Sequence, residues 1–172
     1  MQKDKFELFL EQSKFTSDIL NKAALKNLLI DLKQKKWIFE IELSEVVEPE
    51  VLLPFIEQIK TYFLVPKVVS AIDINFSYKD LSLVNKHALA YYDYAIFKLT
   101  RKKASFTIFK NFKSKLDDHI VKILIDEDSQ HLSQYISDIE KTISKFGLHI
   151  KVELEINSKL IPTSKLIESS IV

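Results

Sequence analysis

The chain has 172 residues, 47% hydrophobic and 28% charged, with 25 basic against 24 acidic side chains, one glycine and no cysteine. That size suits one large or two small soluble domains, and the near cancellation of charge excludes a global field driving the molecule onto nucleic acid or anionic membrane. Without cysteine there are no disulfides, thiolate metal sites or cysteine nucleophiles, and a single glycine cannot build a phosphate-cradling loop or a dinucleotide fingerprint.

In chain order, residues 4 to 12 place Phe6, Phe9 and Leu10 on one helical face. A short second helix is expected from about Asp18, carrying Ile19, Leu20 and Leu25, with Thr16-Ser17-Asp18 offering N-cap side chains. Leu28, Ile30 and Leu32 then alternate with polar positions as a first strand, and Lys33-Gln34-Lys35-Lys36 makes a polar turn. The strand that follows is the best-specified stretch: Trp37, Phe39, Ile41 and Leu43 recur at strict period two, the pattern of a half-buried strand. Trp37 is expected to be buried, so that Trp37→Ala unfolds this part of the chain.

An acidic segment, Ser44 to Glu48, leads to Pro49, which suits the first position of a helix because its missing N–H is unpaired there anyway. Leu52, Phe55, Ile56, Ile59 and Phe63 form its apolar stripe. Pro54 conflicts with a regular helix, so either the first turn is irregular or the helix begins near Leu53. Pro66 stops it, and Val68 to Phe76 reads as another strand. The polar residues 77 to 82 mark the expected domain boundary.

A helix from Leu83 to about Leu99 bunches Tyr91, Tyr92 and Tyr94, of which at least one must face outward, and Arg101-Lys102-Lys103 is expected to break it. Ser105 is placed as the cap of a short helical turn holding Phe106, Phe109 and Phe112. A second hairpin follows: an extended piece at Lys113 to Leu116, a turn at Asp117-Asp118 and a strand from His119 to Ile125. Asp126-Glu127-Asp128 then precedes a helix with Leu132, Tyr135, Ile136, Ile139, Ile143 and Phe146 on one stripe. Gly147 stands where a left-handed C-cap is expected, and His149 to Ile156 alternates as a last strand.

The two halves share an order of helix, strand, strand, acidic loop, helix and strand, which reads as a diverged duplication of an α+β unit of roughly 80 residues. The expected fold is therefore α+β, two tandem small domains of α-β-β-α-β type, at residues 1–78 and 79–157, with 158–172 as a linker toward a downstream domain.

No Ser, His or Asp sits in a nucleophile elbow or other catalytic framing, and His87, His119, His131 and His149 lack metal-ligand spacing and read as surface or strand-edge residues. Asp126, Glu127 and Asp128 read as helix N-terminal carboxylates rather than as cation ligands. No catalytic, metal, cofactor or small-molecule site is expected. Lys33, Lys35 and Lys36 at the first hairpin turn, and Arg101, Lys102 and Lys103 near the second, are the candidate contacts to DNA or a protein partner. Trp37, Phe39, Pro49 and Gly147 are the candidate structural positions. The start of the chain is charged and amphipathic, and no apolar run reaches the roughly 20 residues that span a bilayer, so the expected location is the cytoplasm, without membrane attachment.

Three features together resemble the N-terminal region of the PolC family, the Gram-positive-type alpha subunit of DNA polymerase III. They are the Lys36-Trp37-x-Phe39-x-Ile41-x-Leu43 strand after its basic turn, the Pro49-led helix, and the Val68-to-Phe76 strand. The second half, from Tyr91-Tyr92 through Phe146-Gly147, is similar to that family's second N-terminal domain, and the glycine-poor, lysine-rich composition suits a mollicute member. The resemblance implies a KH-like first domain, but the Gly-x-x-Gly loop by which KH domains clamp a nucleic-acid backbone is missing. It also implies a non-catalytic fragment of a DNA polymerase carrying a 3′–5′ exonuclease, none of whose catalytic residues has a counterpart here. The implied role is attachment to replisome proteins such as tau and the clamp loader, helicase, primase or single-strand-binding protein. The alternatives are weak binding of single-stranded or primer-template DNA, or an unrelated stand-alone adaptor.

Overall fold

The computed structural model describes residues 4–65 and 68–157, which form five α-helices, two 3₁₀ helices and six strands in two three-stranded sheets. Pro66 and the expected linker after residue 157 lie outside the described residues. One compact unit takes in the described residues up to His87 together with Lys145–Gly147; the other takes in Ala88–Ser144 and the described residues from Leu148. The fold is α+β, with two small tandem domains of mixed helix and strand.

In the first unit, α1 (Lys5–Ser13) is capped by Asp4, whose Oδ1 accepts from the Glu7 N–H at 2.8 Å, and it buries Phe6, Phe9 and Leu10 as its spacing requires. The second helix is shorter than expected: α2 (Asp18–Asn21) is a single turn, and Ser17 makes no side-chain cap bond. The Asn21 amide instead reaches back to both the N–H and the carbonyl of Phe15, at 2.9 and 2.7 Å, and closes the turn there. Leu25 consequently belongs to β1 (Ala24–Asp31), which pairs from Ala24 onward with Glu42.

Four residues, Leu32 to Lys35, separate β1 from its antiparallel partner β2 (Lys36–Glu45). Asp31 Oδ1 accepts from the Lys33 and Gln34 N–H groups at 3.0 and 3.1 Å, the local bonding that makes aspartate a turn former. Next, α3 (Pro49–Phe63) starts at Pro49 and continues through Pro54, so the helix is regular from its first turn. Near a helix start, the N–H that Pro54 lacks costs only one carbonyl partner, while Leu52, Phe55, Ile59 and Phe63 hold both sides of it against the sheet.

β3 (Ala71–Asp80) lies parallel to β2, with Trp37 opposite Ile72, Phe39 opposite Ile74 and Ile41 opposite Phe76. This strand begins after Val68 and runs past Phe76, so Ser77 to Asp80, polar in sequence, form its end. Their polarity follows from alternation: Tyr78 stands opposite Leu43 on the helix-covered face, while Ser77 and Lys79 stand on the other. The core is aromatic, with Phe39 and Phe63 rings 5.0 Å apart and Phe9 within 6.3 Å of Phe55 and 5.7 Å of Phe63. Within the same unit Tyr78 Oη donates to the Phe146 carbonyl at 2.6 Å. Gly147, three residues beyond the end of α5 described below, has φ +79°, and a Cβ there would come 2.2 Å from the Phe76 oxygen.

The unit boundary falls within α4 (Val84–Lys102), which carries Arg101 and Lys102 in its last turn instead of breaking before them. Basic side chains are favourable at a helix C-terminus, and that explains the continuation. Tyr91 and Tyr92 are buried and Tyr94 half-buried, so none of the three is fully exposed, where the sequence reading expected at least one to face outward. A 3₁₀ helix follows at Ala104–Asn111, with Lys103, not Ser105, in the capping position. β4 (Ser114–Asp117) and β5 (Ile120–Ile125) form the second hairpin, and His119 lies in its turn, not in the strand. Asp118 and His119 both have positive φ, 47° and 69°, the requirement of a two-residue type I′ turn.

The helix expected after Asp128 is split into a 3₁₀ helix (Glu127–Tyr135) and α5 (Ile136–Ser144). Asp126 Oδ1 accepts from Ser129 Oγ at 2.8 Å at the start of the first segment. Ser129, Leu132 and Tyr135 recur at three, the 3₁₀ period, and so do Phe106 and Phe109 in the earlier one, with Phe112 just past its end. β6 begins at Lys151, later than expected, and ends at Ile156, parallel to β5.

The two sheets repeat one topology, β1-β2-β3 and β4-β5-β6, each with an antiparallel hairpin whose second strand takes a parallel third. Their registers also coincide. Trp37 faces Ile72 and Val121 faces Val152, each one position past the last pair of its hairpin.

Candidate interaction surfaces

The first basic cluster is divided by the geometry of its turn. Lys33 and Lys35 are exposed in the loop, and Lys35 has φ 52° with its carbonyl accepting from Ser70 N–H at 2.7 Å and Ser70 Oγ at 3.1 Å. Lys36 is already in the strand, where its ammonium pairs with the Asp73 carboxylate across to β3. On the helix-covered face of the same sheet a groove of about 650 Å³ opens among Leu8, Leu25, Leu28, Trp37, Tyr62 and Val65. Trp37 is therefore half-buried and not in the core, because α3 ends at Phe63 and leaves this end of the strand uncovered. Phe39, at 1% exposure, fills the central place.

In the second unit, Arg101, Lys102 and Lys103 are exposed at and just beyond the end of α4. The Arg101 guanidinium lies over the Phe97 ring at 5.6 Å, and the Lys103 ammonium over Tyr135 at 5.6 Å. Beside Phe97 a cleft of about 280 Å³ is lined by Tyr92, Asp93, Ile96, Phe97, Phe109, Lys110, Phe112 and Ser114. The hydroxyl of Tyr92, one of these residues, is buried with no hydrogen-bond partner among the described residues, as is the Thr100 hydroxyl further along α4. Burial pushes the Tyr92 phenol upward, with Asp93 adding to the effect, and burial likewise raises the Asp93 carboxyl. Sequence reading missed this cleft. The signal was Asp93, Phe97 and Arg101 at successive intervals of four, which line an acid, an aromatic ring and a cation along one helical face.

Among the described residues no three His, Asp or Glu side chains converge as a metal-binding group. The histidines differ from expectation in one case: His87 is buried at 8% exposure, and desolvation lowers its pKa against the opposing pull of Glu48. His131 and His149 are exposed and His119 is in a turn.

On the outer faces of both sheets, charges pair across strands. Glu42 of β2 lies 3.5 Å from Lys26 and 3.9 Å from Lys79, while Lys122 of β5 lies 3.1 Å from Asp117 and 3.6 Å from Glu155. These exposed networks contribute little stability each but keep the faces polar.

Paired α-β-β-α-β units define a tandem α+β architecture whose exposed features include a basic turn, an apolar groove and an aromatic cleft. Over 130 residues, 73% of its length, the chain is 25% identical to "DNA polymerase III PolC-type" from each of two strains of Staphylococcus epidermidis. It spans about 9% of the length of those relatives. No family model and no solved structure matches it. No helix among the described residues is long and apolar enough to cross a membrane.

Proposed function

We propose that this chain is a non-catalytic N-terminal region of a PolC-type DNA polymerase III alpha subunit and that it attaches the polymerase to other replisome proteins in the cytoplasm. The observation that carries this reading is the 130-residue similarity to the staphylococcal polymerases, which runs through both sequence halves. The polymerase and 3′–5′ exonuclease activities belong to the parent protein in this reading, and the single glycine and lysine-rich composition fit a mollicute source. Lys33, Lys35 and Lys36, with Arg101, Lys102 and Lys103, are the proposed contact residues, Lys33 and Lys35 being the exposed pair of the first group.

Titrating the ¹⁵N-labelled chain separately with replicative helicase, tau, primase and single-strand-binding protein tests the docking role. At least one of them is expected to shift a contiguous set of amide resonances. A folded spectrum unmoved by all four would remove the role.

A further inference from the structure

We propose that the cleft between α4 and the Phe109–Ser114 segment binds an unstacked base of single-stranded DNA. Three observations converge on it. Phe97, 52% exposed on an otherwise amphipathic helix, and Phe112 supply aromatic walls on which a base can stack. Tyr92 lines the cleft and is only 3% exposed, and its hydroxyl has no partner among the described residues, a deficit that a ligand group reaching it would relieve. Asp93, which forms no ion pair among the described residues, offers a carboxylate to an exocyclic amine.

The rim supplies the backbone contacts. Lys110 lines the cleft, and Arg101 sits over the Phe97 ring, so cations flank the place where phosphates would run. A lysine or arginine anchor from a partner protein fits less well, because those same cations would repel it. The carboxylate favours cytosine or adenine over thymine, since thymine carries no amino group. Base binding here stands on the cleft's own residues and relies on the polymerase reading only for the supply of single-stranded DNA.

The test is fluorescence anisotropy of the full chain with labelled single-stranded oligodeoxycytidine, oligothymidine and an abasic oligomer of equal length, at low and raised salt. Oligodeoxycytidine is expected to bind most tightly, in a salt-sensitive manner, with Phe97→Ala weakening it about ten-fold. Asp93→Asn should abolish the preference over oligothymidine. Tyr92→Phe should weaken base binding while the free protein melts no lower than the parent, which separates a ligand role from a packing role. Equal binding of the abasic oligomer would reduce the contact to phosphate and overturn the proposal. Absence of binding at low salt, with amide spectra folded, would overturn it as well. If helicase or tau shifts the Phe97 and Phe112 resonances and DNA does not, the cleft belongs to a protein partner and the base-binding proposal falls while docking survives.

Discussion

Burial of an ionisable side chain makes stability depend on pH, and His87 carries that dependence in the first unit. Desolvation is the largest influence, Glu48 and Glu45 oppose it, and Lys86 adds to it, leaving the folded pKa below the usual 6.5. The unfolded chain then takes up the proton first. Stability from neutral His87 is complete above 6.5 and is lost as pH falls through the interval beneath it. Urea midpoints measured from about pH 7 to about pH 5 should fall less steeply in His87→Gln than in the parent. Parallel curves would show that other groups set the slope. The spacing did carry a signal for this histidine, since Leu83, His87 and Tyr91 recur every four residues along one helical face, but its polar side chain read as a surface residue.

The elements that were legible are those whose period is simple. Phe6, Phe9 and Leu10 fixed α1, and the alternation of β2 fixed its inward face, since a one-residue slip would turn every side chain outward. Depth was less legible than face. Trp37 and Phe39 share a side of β2, but only tertiary packing decides that α3 covers the second and stops short of the first. Phe39→Ala is therefore expected to cost about 3–5 kcal/mol, against about 1–2 kcal/mol for Trp37→Ala. Chemical denaturation of both variants checks this order; equal losses would place Trp37 in the core after all. The 3₁₀ segments were misread for a different reason. Apolar residues at intervals of three fit an α-helical stripe over one turn, and only a spacing sustained over several turns, as at Ser129, Leu132 and Tyr135, distinguishes the tighter helix. Only the α4 wall of the cleft carried a signal in the sequence, because its other wall, from Phe109 to Ser114, follows no helical or strand period that points to a shared face.

For the chain as a whole, duplication is the organising fact: two sheets of the same order and register stand on one polypeptide. A repeated fold offers strands the wrong partner during folding, and neighbouring repeats are prone to exchange them. The cross-strand charges described above have a consequence for that hazard. If β6 replaced β3 beside β2 in the shared register, Lys36 would stand opposite Lys151 and Glu40 opposite Glu155, two like-charged pairs where the native pairing sets Ala71 and Asn75. Lys151→Glu turns the first of these clashes into an attraction, at the cost in the native fold of replacing the exposed Lys151–Glu153 pair by two like charges. After dilution from denaturant it should refold with a larger misassembled fraction than the parent at matched stability, read by size-exclusion chromatography; an unchanged yield would discard the idea. On that expectation, the outward-facing charges of Lys36, Glu40, Lys151 and Glu155, weak as supports for the finished structure, are labels that tell each half of a doubled chain its own strands from the other's.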